Sequence, residues 1–435
     1  MSISRRHFLA LAGVSSLGVV LPKLYANARK QIGYGDLVTD PNGILDLPPG
    51  FKYRVISKLG DRMDDGAIVP NAADGMAAFD GALAGVPGST ILIRNHELTG
   101  RHYTKVAAPT EKLYDPIAQG GTTTLIVNSD RQVVKQFVSL AGTVRNCAGG
   151  KTPWGSWISC EEDTATPAGN ETVNYAPVSK RHGYNFEVPA DATAPIAPQP
   201  LIAMGRFNHE AIAVDPRTNI VYQTEDRIDG LFYRFIPNQP ENLIAGGRLE
   251  ALKIKDQPQA ITARHFPIDQ PMTMEWVTIE EVDPEGDTVR LEGFSKGAAQ
   301  FMRGEGICYS DGALYFTCTN GGMIQSGQVW RYEPDPTNET GGTIALFVES
   351  DNPESLHFPD NICISPWGDM YVCEDGINQQ QHVVGITSKG EMYHFAHNAL
   401  NRSEFAGACF SADGQTMFLN IYNPTVTLAI WGDWV

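Results

Sequence analysis

A thiol, several carboxylate pairs and an arginine recur in this chain at spacings suited to metal-assisted chemistry. Asn146-Cys147-Ala148-Gly149-Gly150 sets a cysteine in a small-residue turn, and Thr152-Pro153-Trp154-Gly155-Ser156-Trp157-Ile158-Ser159-Cys160-Glu161-Glu162 then ends an apolar strand on two acids. Far along the chain, Ser365-Pro366-Trp367-Gly368-Asp369-Met370-Tyr371-Val372-Cys373-Glu374-Asp375 repeats the pattern of turn, strand, cysteine and acid pair. Weaker copies end at Glu225-Asp226, at Thr319-Asn320 and at Asn420. Carboxylates gathered in one place repel each other unless cations lie between them. A site for several metal ions is therefore the first reading, and acid pairs that merely end solvated strands are the alternative.

Other segments add donors. Arg94-Asn95-His96-Glu97 and Phe207-Asn208-His209-Glu210 echo each other as Asn-His-Glu triplets beside a strand. Either histidine could orient a carboxylate, or simply be a satisfied polar residue; neither has the spacing of a zinc motif. In Arg303-Gly304-Glu305 the arginine and glutamate lie two apart and share a face of an extended strand. A guanidinium beside a metal-bound carboxylate suits phosphate recognition, whereas a local ion pair is the structural alternative. Asp360-Asn361 offers two more oxygens ahead of Glu374-Asp375. A donor set dominated by oxygen fits hard cations such as calcium, and one thiolate, Cys147, leaves room for a transition metal such as iron. The chain has no Gly-x-Ser-x-Gly elbow, no phosphate loop ending in Lys-Ser/Thr and no dinucleotide fingerprint, which removes the case for a serine hydrolase or a nucleotide enzyme.

The elements that must carry these donors are short. From Gly43 onward, β-branched and aromatic runs alternate with Gly, Pro, Asn and Asp, and helical periodicity is confined to loop pieces near Thr110 to Leu113. The turn-plus-strand unit recurs at about 45 to 60 residues with one gap near 95, the signature of propeller blades. The expected fold is an all-β β-propeller with inserted loops and few short helices, in which equivalent acids from several blades face one pocket on the axis. Residues 238–248 and 256–271 read as blade insertions.

The 435-residue chain is 42% hydrophobic and 19% charged, with 50 acids against 33 bases and a formal charge of −17. That balance argues against nucleic acid or an anionic membrane as partner, and an anionic substrate needs local cations to enter. Ser4-Arg5-Arg6-His7-Phe8-Leu9, the apolar run Leu9 to Leu21 and Ala26-Asn27-Ala28 resemble a twin-arginine signal with its cleavage site. Residues 1–28 are thus expected to be a leader read by the twin-arginine translocase, and 29–435 a single exported domain, periplasmic or secreted, with no stable membrane span. A chain folded before export does not depend on disulfides, so Cys308, Cys318, Cys363, Cys373 and Cys409 read as buried thiols.

Taken in order, residues 146–150 and 152–162, the triplet at 208–210, Arg303-x-Glu305, Asp360-Asn361 and Glu374-Asp375-Gly376 resemble the PhoX family of alkaline phosphatases. Gly120-Gly121-Thr122-Thr123, His182-Gly183-Tyr184, Thr224-Glu225-Asp226-Arg227 and the Trp431-Gly432-Asp433-Trp434 ending support the match across the mature chain. The resemblance implies a six-bladed propeller and a monomeric, calcium-dependent hydrolase of small phosphomonoesters, with ferric iron (Fe3+) and calcium (Ca2+) around a bridging oxygen that acts as nucleophile. It further implies Cys147, Glu210 and Glu305 as iron ligands, with Arg303 gripping a phosphate oxygen. Glu97, Glu161, Glu162, Asp360, Asn361, Glu374 and Asp375 would supply calcium, and Glu225 and Asp226 stand behind them. Tyr422, Thr425 and Asp433 occupy positions where the family pattern calls for Gln, Gly and Pro. The competing readings are a calcium-dependent propeller lactonase or phosphodiesterase, and a non-enzymatic calcium-binding propeller.

Overall fold

The computed structural model describes residues 32–169, 177–335, 341–376 and 379–434, so the expected leader at 1–28 lies outside the described residues. Among them the chain is almost entirely β, with one α-helix, Val289–Ser295, and a few 3-10 turns that include Thr110–Lys112. The helix falls in an insertion where sequence periodicity gave no helical signal.

The repeated motif is a hairpin turn with a defined chemistry. The N–H groups of Gly155, Gly368 and Gly414 donate to the carbonyls of Thr152, Ser365 and Ser411, and all three glycines take positive φ, between 70° and 100°, where only glycine is unstrained. The Thr152 and Ser365 hydroxyls accept from the N–H groups of Ser156 and Asp369 at 2.9 and 3.0 Å. The turn fixes the register of the strand that follows, and that register decides which residue reaches the far end of the blade.

Hydrogen bonding groups the strands into five sheets in a propeller-like arrangement. The nine-stranded sheet joins two antiparallel units at their outer edges, where Met272 and Thr273 pair with Ile344 and Thr343. Six inner strands, Ala73–Asp80, Asn146–Lys151, His209–Val214, Gly304–Ser310, Pro359–Ile364 and Phe405–Phe410, pack each against the next and close a ring. At the outside, Lys52–Lys58 pairs with Val426–Trp431 and completes the last sheet, so the two ends of the domain are stitched together. Residues 238–246 are the hairpin connection between Phe232–Pro237 and Gly247–Ile254, and Arg248 belongs to the latter strand; 256–271 lead into the outer strand Met272–Thr278.

The core lies between neighbouring sheets. In its largest cluster Phe232 stacks on Phe316 at 4.4 Å with rings 8° apart, beside Trp330 and Tyr332. All four are fully buried, and truncating any one to alanine is expected to cost about 3–5 kcal/mol. All seven cysteines are free.

Each of the six inner strands carries a register shift at the same place, between Ala73/Met76, Asn146/Gly149, His209/Ile212, Gly304/Ile307, Pro359/Ile362 and Ala406/Cys409. A bulge re-aims the residues inside it. Here it turns one residue per strand toward the axis: Asp74, Cys147, Glu210, Glu305 and Asp360, with Gly407 at the sixth position. The next residue is small in most strands, as Gly75, Ala148, Ala211 and Gly306. A Cβ on Gly75 would stand 2.6 Å from the Cα of Ala148, so small side chains are what allow the strands to close this tightly.

Candidate metal centre on the axis

The re-aimed residues line a cavity of about 470 Å³ at one end of the axis. A second ring adds to it, from the residue just past four of the six strands that pair with the inner ones: Glu97, Glu162, Asp226 and Asp375. Glu404 and Tyr422 fill the sector left open by Gly407. Cys147, Glu162 and Glu210 each offer a donor atom within 4.8 Å of the others, and so do Glu210, Glu305 and Asp360. Glu210 belongs to both groups.

Of the sequence-predicted donors, Cys147, Glu210, Glu305, Glu97, Glu162, Asp360, Asp375 and Arg303 line this cavity, whereas Glu161, Glu374 and Asn361 do not. The reason is the period of two along a strand: of each acid pair, the second residue faces the axis and the first faces the blade interior. The Glu161 carboxylate accepts from His182 Nδ1 at 2.7 Å and from the N–H groups of Val144, Gly183 and Tyr184. Burial pulls the His182 pKa down, yet Glu161 and Asp115 raise it to about 9. Glu374 accepts from the N–H groups of His357 and His382 and from the His382 ring. Glu225 accepts from Leu231 N–H and the Tyr233 hydroxyl. The Asn361 amide donates to Asp360 at 2.9 Å and accepts from Gly407 N–H at 2.8 Å, so it braces a cavity carboxylate from behind.

The Asn-His-Glu triplets divide in the same way. Glu97 and Glu210 face the cavity, while His96 bonds to the Asn71 carbonyl and the Thr123 hydroxyl and His209 to the Gly205 carbonyl. Asn95 donates to the Ala148 and Cys147 carbonyls at 2.6 and 3.2 Å and so holds the bulge that aims Cys147. The glycine at 150 serves the fold more than any ligand, because a Cβ there would overlap the Ile212 carbonyl oxygen of the next inner strand.

Two arginines enter the cavity wall at equivalent positions one residue ahead of an inner strand, both left-handed, Arg145 at φ 45° and Arg303 at φ 54°. Arg303 grips Asp226 through two bonds of 2.9 and 3.0 Å and reaches Glu305 at 2.6 Å. Arg145 bridges Glu97 and Glu162 at 2.7 Å each. Their side chains are 26% and 28% exposed, more than any carboxylate they bind, so each guanidinium keeps a face toward the open cavity. Sequence reasoning missed Arg145, Asp74 and Glu404. A signal was present: a metal-ligand type followed by a small residue, as in Asp74-Gly75, Cys147-Ala148, Glu210-Ala211 and Glu305-Gly306.

The electrostatics point to cations. Burial, and then neighbouring carboxylates, push the carboxyl groups of Asp74, Glu210, Glu305 and Glu404 well above their ordinary range. Asp360 is pushed up to about 7 by burial and by Asp375. Burial also raises Glu162; Arg145 relieves part of this, while Asp226 and Glu97 push it up again. The Cys147 thiol is raised by burial, then by Glu210, Glu162 and Asp74. Only multivalent cations among these groups let so many ionise together, and the mix of one sulfur with many carboxylate oxygens fits both a hard cation and iron.

A family model for alkaline phosphatase PhoX matches residues 32–425. The chain belongs to the PhoX alkaline phosphatase family. The structure resembles that of Pseudomonas fluorescens PhoX in complex with vanadate, a transition state analogue, at 18% identity and a TM-score of 0.69, covering 90% of this chain and 96% of that one. That likeness is one of fold. A gluconolactonase, XC5397 from Xanthomonas campestris, aligns at 11% identity and a TM-score of 0.43 over 91% of this chain and all of its own. No curated protein sequence matches. Among the described residues of this PhoX-family chain, no helix is long and apolar enough to cross a membrane.

Proposed function

We propose that this chain is an exported, metal-dependent phosphatase that hydrolyses phosphate monoesters in the axial cavity. The observation that carries the reading is the convergence of Cys147, Glu162, Glu210, Glu305 and Asp360 beside a guanidinium, Arg303, held rigidly by Asp226. Cys147, Glu210 and Glu305 would hold iron, and Glu162, Asp360, Glu97, Asp375, Asp74 and Glu404 would share the calcium ions. When bound, these cations supply the positive charge that phosphoryl transfer needs on its attacking, equatorial and leaving oxygens.

The chain's own residues do the rest. Arg303, whose Nη1 also donates to Asn320 at 3.2 Å, gives its remaining Nη1 N–H to a non-bridging phosphate oxygen, and the fork on Asp226 fixes its plane so that little rotamer entropy is lost on binding. Arg145 neutralises Glu97 and Glu162 and keeps them from repelling an incoming dianion. The small-residue neck closes the floor, so substrate enters and alcohol leaves by the mouth. The Arg5-Arg6 segment supports export by the twin-arginine route.

The test is hydrolysis of p-nitrophenyl phosphate by the purified chain, with Arg303→Ala and Arg303→Lys. Arg303→Ala is expected to lose about 10²-fold in kcat/KM or more with metal content retained, and Arg303→Lys to recover only part. A chain loaded with iron and calcium that does not turn over this ester contradicts the proposal.

A further inference from the structure

One sector of the cavity mouth sets donors beside Glu97 and Glu404. On the side of the ring opposite Arg303, the mouth is formed by Thr99, Arg101, His102 and Tyr422. No aliphatic side chain and no Phe or Trp lines the cavity, so whatever part of a substrate lies here is recognised by polar contacts.

The sector offers donors. Arg101 is exposed, and its guanidinium has no partner among the described residues. Thr99 N–H donates to His102 Nδ1 at 3.0 Å; a backbone N–H can only donate, so in the neutral ring the proton resides on Nε2, which is left as a donor. The Tyr422 hydroxyl donates to the Glu97 carbonyl at a long 3.4 Å, and its ring meets that of His102 edge-on at 6.5 Å. The segment is built rather than loose. His102 N–H returns to the Thr99 carbonyl, Thr99 and Leu98 are buried, and Thr104 exchanges hydrogen bonds with Asn71.

Resting on the phosphatase reading, we propose that this sector is the leaving-group subsite, and that Arg101 and His102 select phosphomonoesters whose alcohol carries a second anionic group. The floor is closed by the neck and the phosphate is held at the Arg303 side, so the alcohol extends toward the mouth. There it meets an unpaired guanidinium and an imidazole N–H, which a carboxylate or second phosphate satisfies and a neutral alcohol leaves unpaired.

The experiment compares two esters of the same carbon skeleton, 3-phosphoglycerate and glycerol 3-phosphate, on the metal-loaded chain. The wild-type protein is expected to favour the carboxylate ester by about tenfold in kcat/KM. Arg101→Ala should bring that ratio close to one, mostly through KM, Arg101→Lys should keep part of it, and added salt should reduce it. Lys389→Ala, in an exposed turn at the opposite end of the strands, should leave the ratio unchanged. A wild-type ratio of one, or an undiminished ratio in Arg101→Ala, overturns this inference while leaving the phosphatase reading intact. Absence of turnover with p-nitrophenyl phosphate and with both esters overturns the two together.

Discussion

Glu161 and Glu162 are neighbours of identical chemistry that the fold sends to opposite faces, so replacing each with glutamine should produce opposite phenotypes. Glu161 is fully buried and accepts four hydrogen bonds, two on each carboxylate oxygen. Glutamine keeps one acceptor oxygen and turns an NH₂ group toward two donors, which loses two bonds to a charged acceptor. At about 1.5–3 kcal/mol each, Glu161→Gln should lose about 3–6 kcal/mol, a large part of a total that is usually about 5–15 kcal/mol. Glu162 instead has its carboxyl raised well above the ordinary range by burial first, with Arg145 relieving part of this and Asp226 and Glu97 opposing that relief. Glu162→Gln removes a carboxyl whose ionised form burial disfavours, so the metal-free variant should lose far less stability than Glu161→Gln while metal content and phosphatase activity fall. The assay is denaturant unfolding of chelated protein alongside elemental analysis of the loaded form. Loss of metal at unchanged stability in Glu161→Gln, with metal retained in Glu162→Gln, would refute the assignment of faces.

Two further outcomes follow from the same geometry. In the metal-free chain the Asp360 carboxyl is raised to about 7 from 3.8, so the folded form holds this proton more tightly than the unfolded form; the stabilisation is present below about pH 4 and is lost as pH rises through about 7. Chelated protein should therefore melt at a lower temperature at pH 8 than at pH 5, with calcium restoring the loss; a melting temperature that holds steady or rises over that range would show that the carboxylates do not repel as described. Gly407, at φ 62°, would place a Cβ 2.5 Å from the Asp74 carbonyl oxygen and 2.8 Å from Asn420, whereas Gly368, at φ 100°, has open space. Gly407→Ala should cost about 1–3 kcal/mol more than Gly368→Ala in denaturant unfolding, and equal costs would mean that the strands are not locked at this point.

Much of the architecture is legible in the residues because the hairpin turn is chemically strict. Thr152-Pro153-Trp154-Gly155 and Ser365-Pro366-Trp367-Gly368 need a hydroxyl at the start and a glycine at the end, and this periodicity reveals the blades. The sheets were harder to count, because two blades share an outer edge through only Met272 and Thr273, a pairing between distant segments that leaves no local trace. In the site, the acid pairs marked the right end of the strands but not the right member. Glu161, Glu225 and Glu374 read like their neighbours Glu162, Asp226 and Asp375, and only register separates a carboxylate that faces the axis from one sealed against backbone N–H groups. Asp74 shares with the other donors only the small residue that follows it, Glu404 lies outside any repeated motif, and Arg145 is called into the wall by a left-handed turn that no residue type announces.

The central claim is that the ring of re-aimed donors holds cations that make the cavity a phosphatase site. Its most direct test is the iron and calcium content of the purified, folded protein, measured together with p-nitrophenyl phosphate hydrolysis before and after chelation and again after calcium is returned. The account predicts both metals, calcium-dependent turnover, and loss of iron and of turnover together in Cys147→Ser. Hydrolysis that survives complete removal of metal, or fully loaded protein with no hydrolysis, would contradict it.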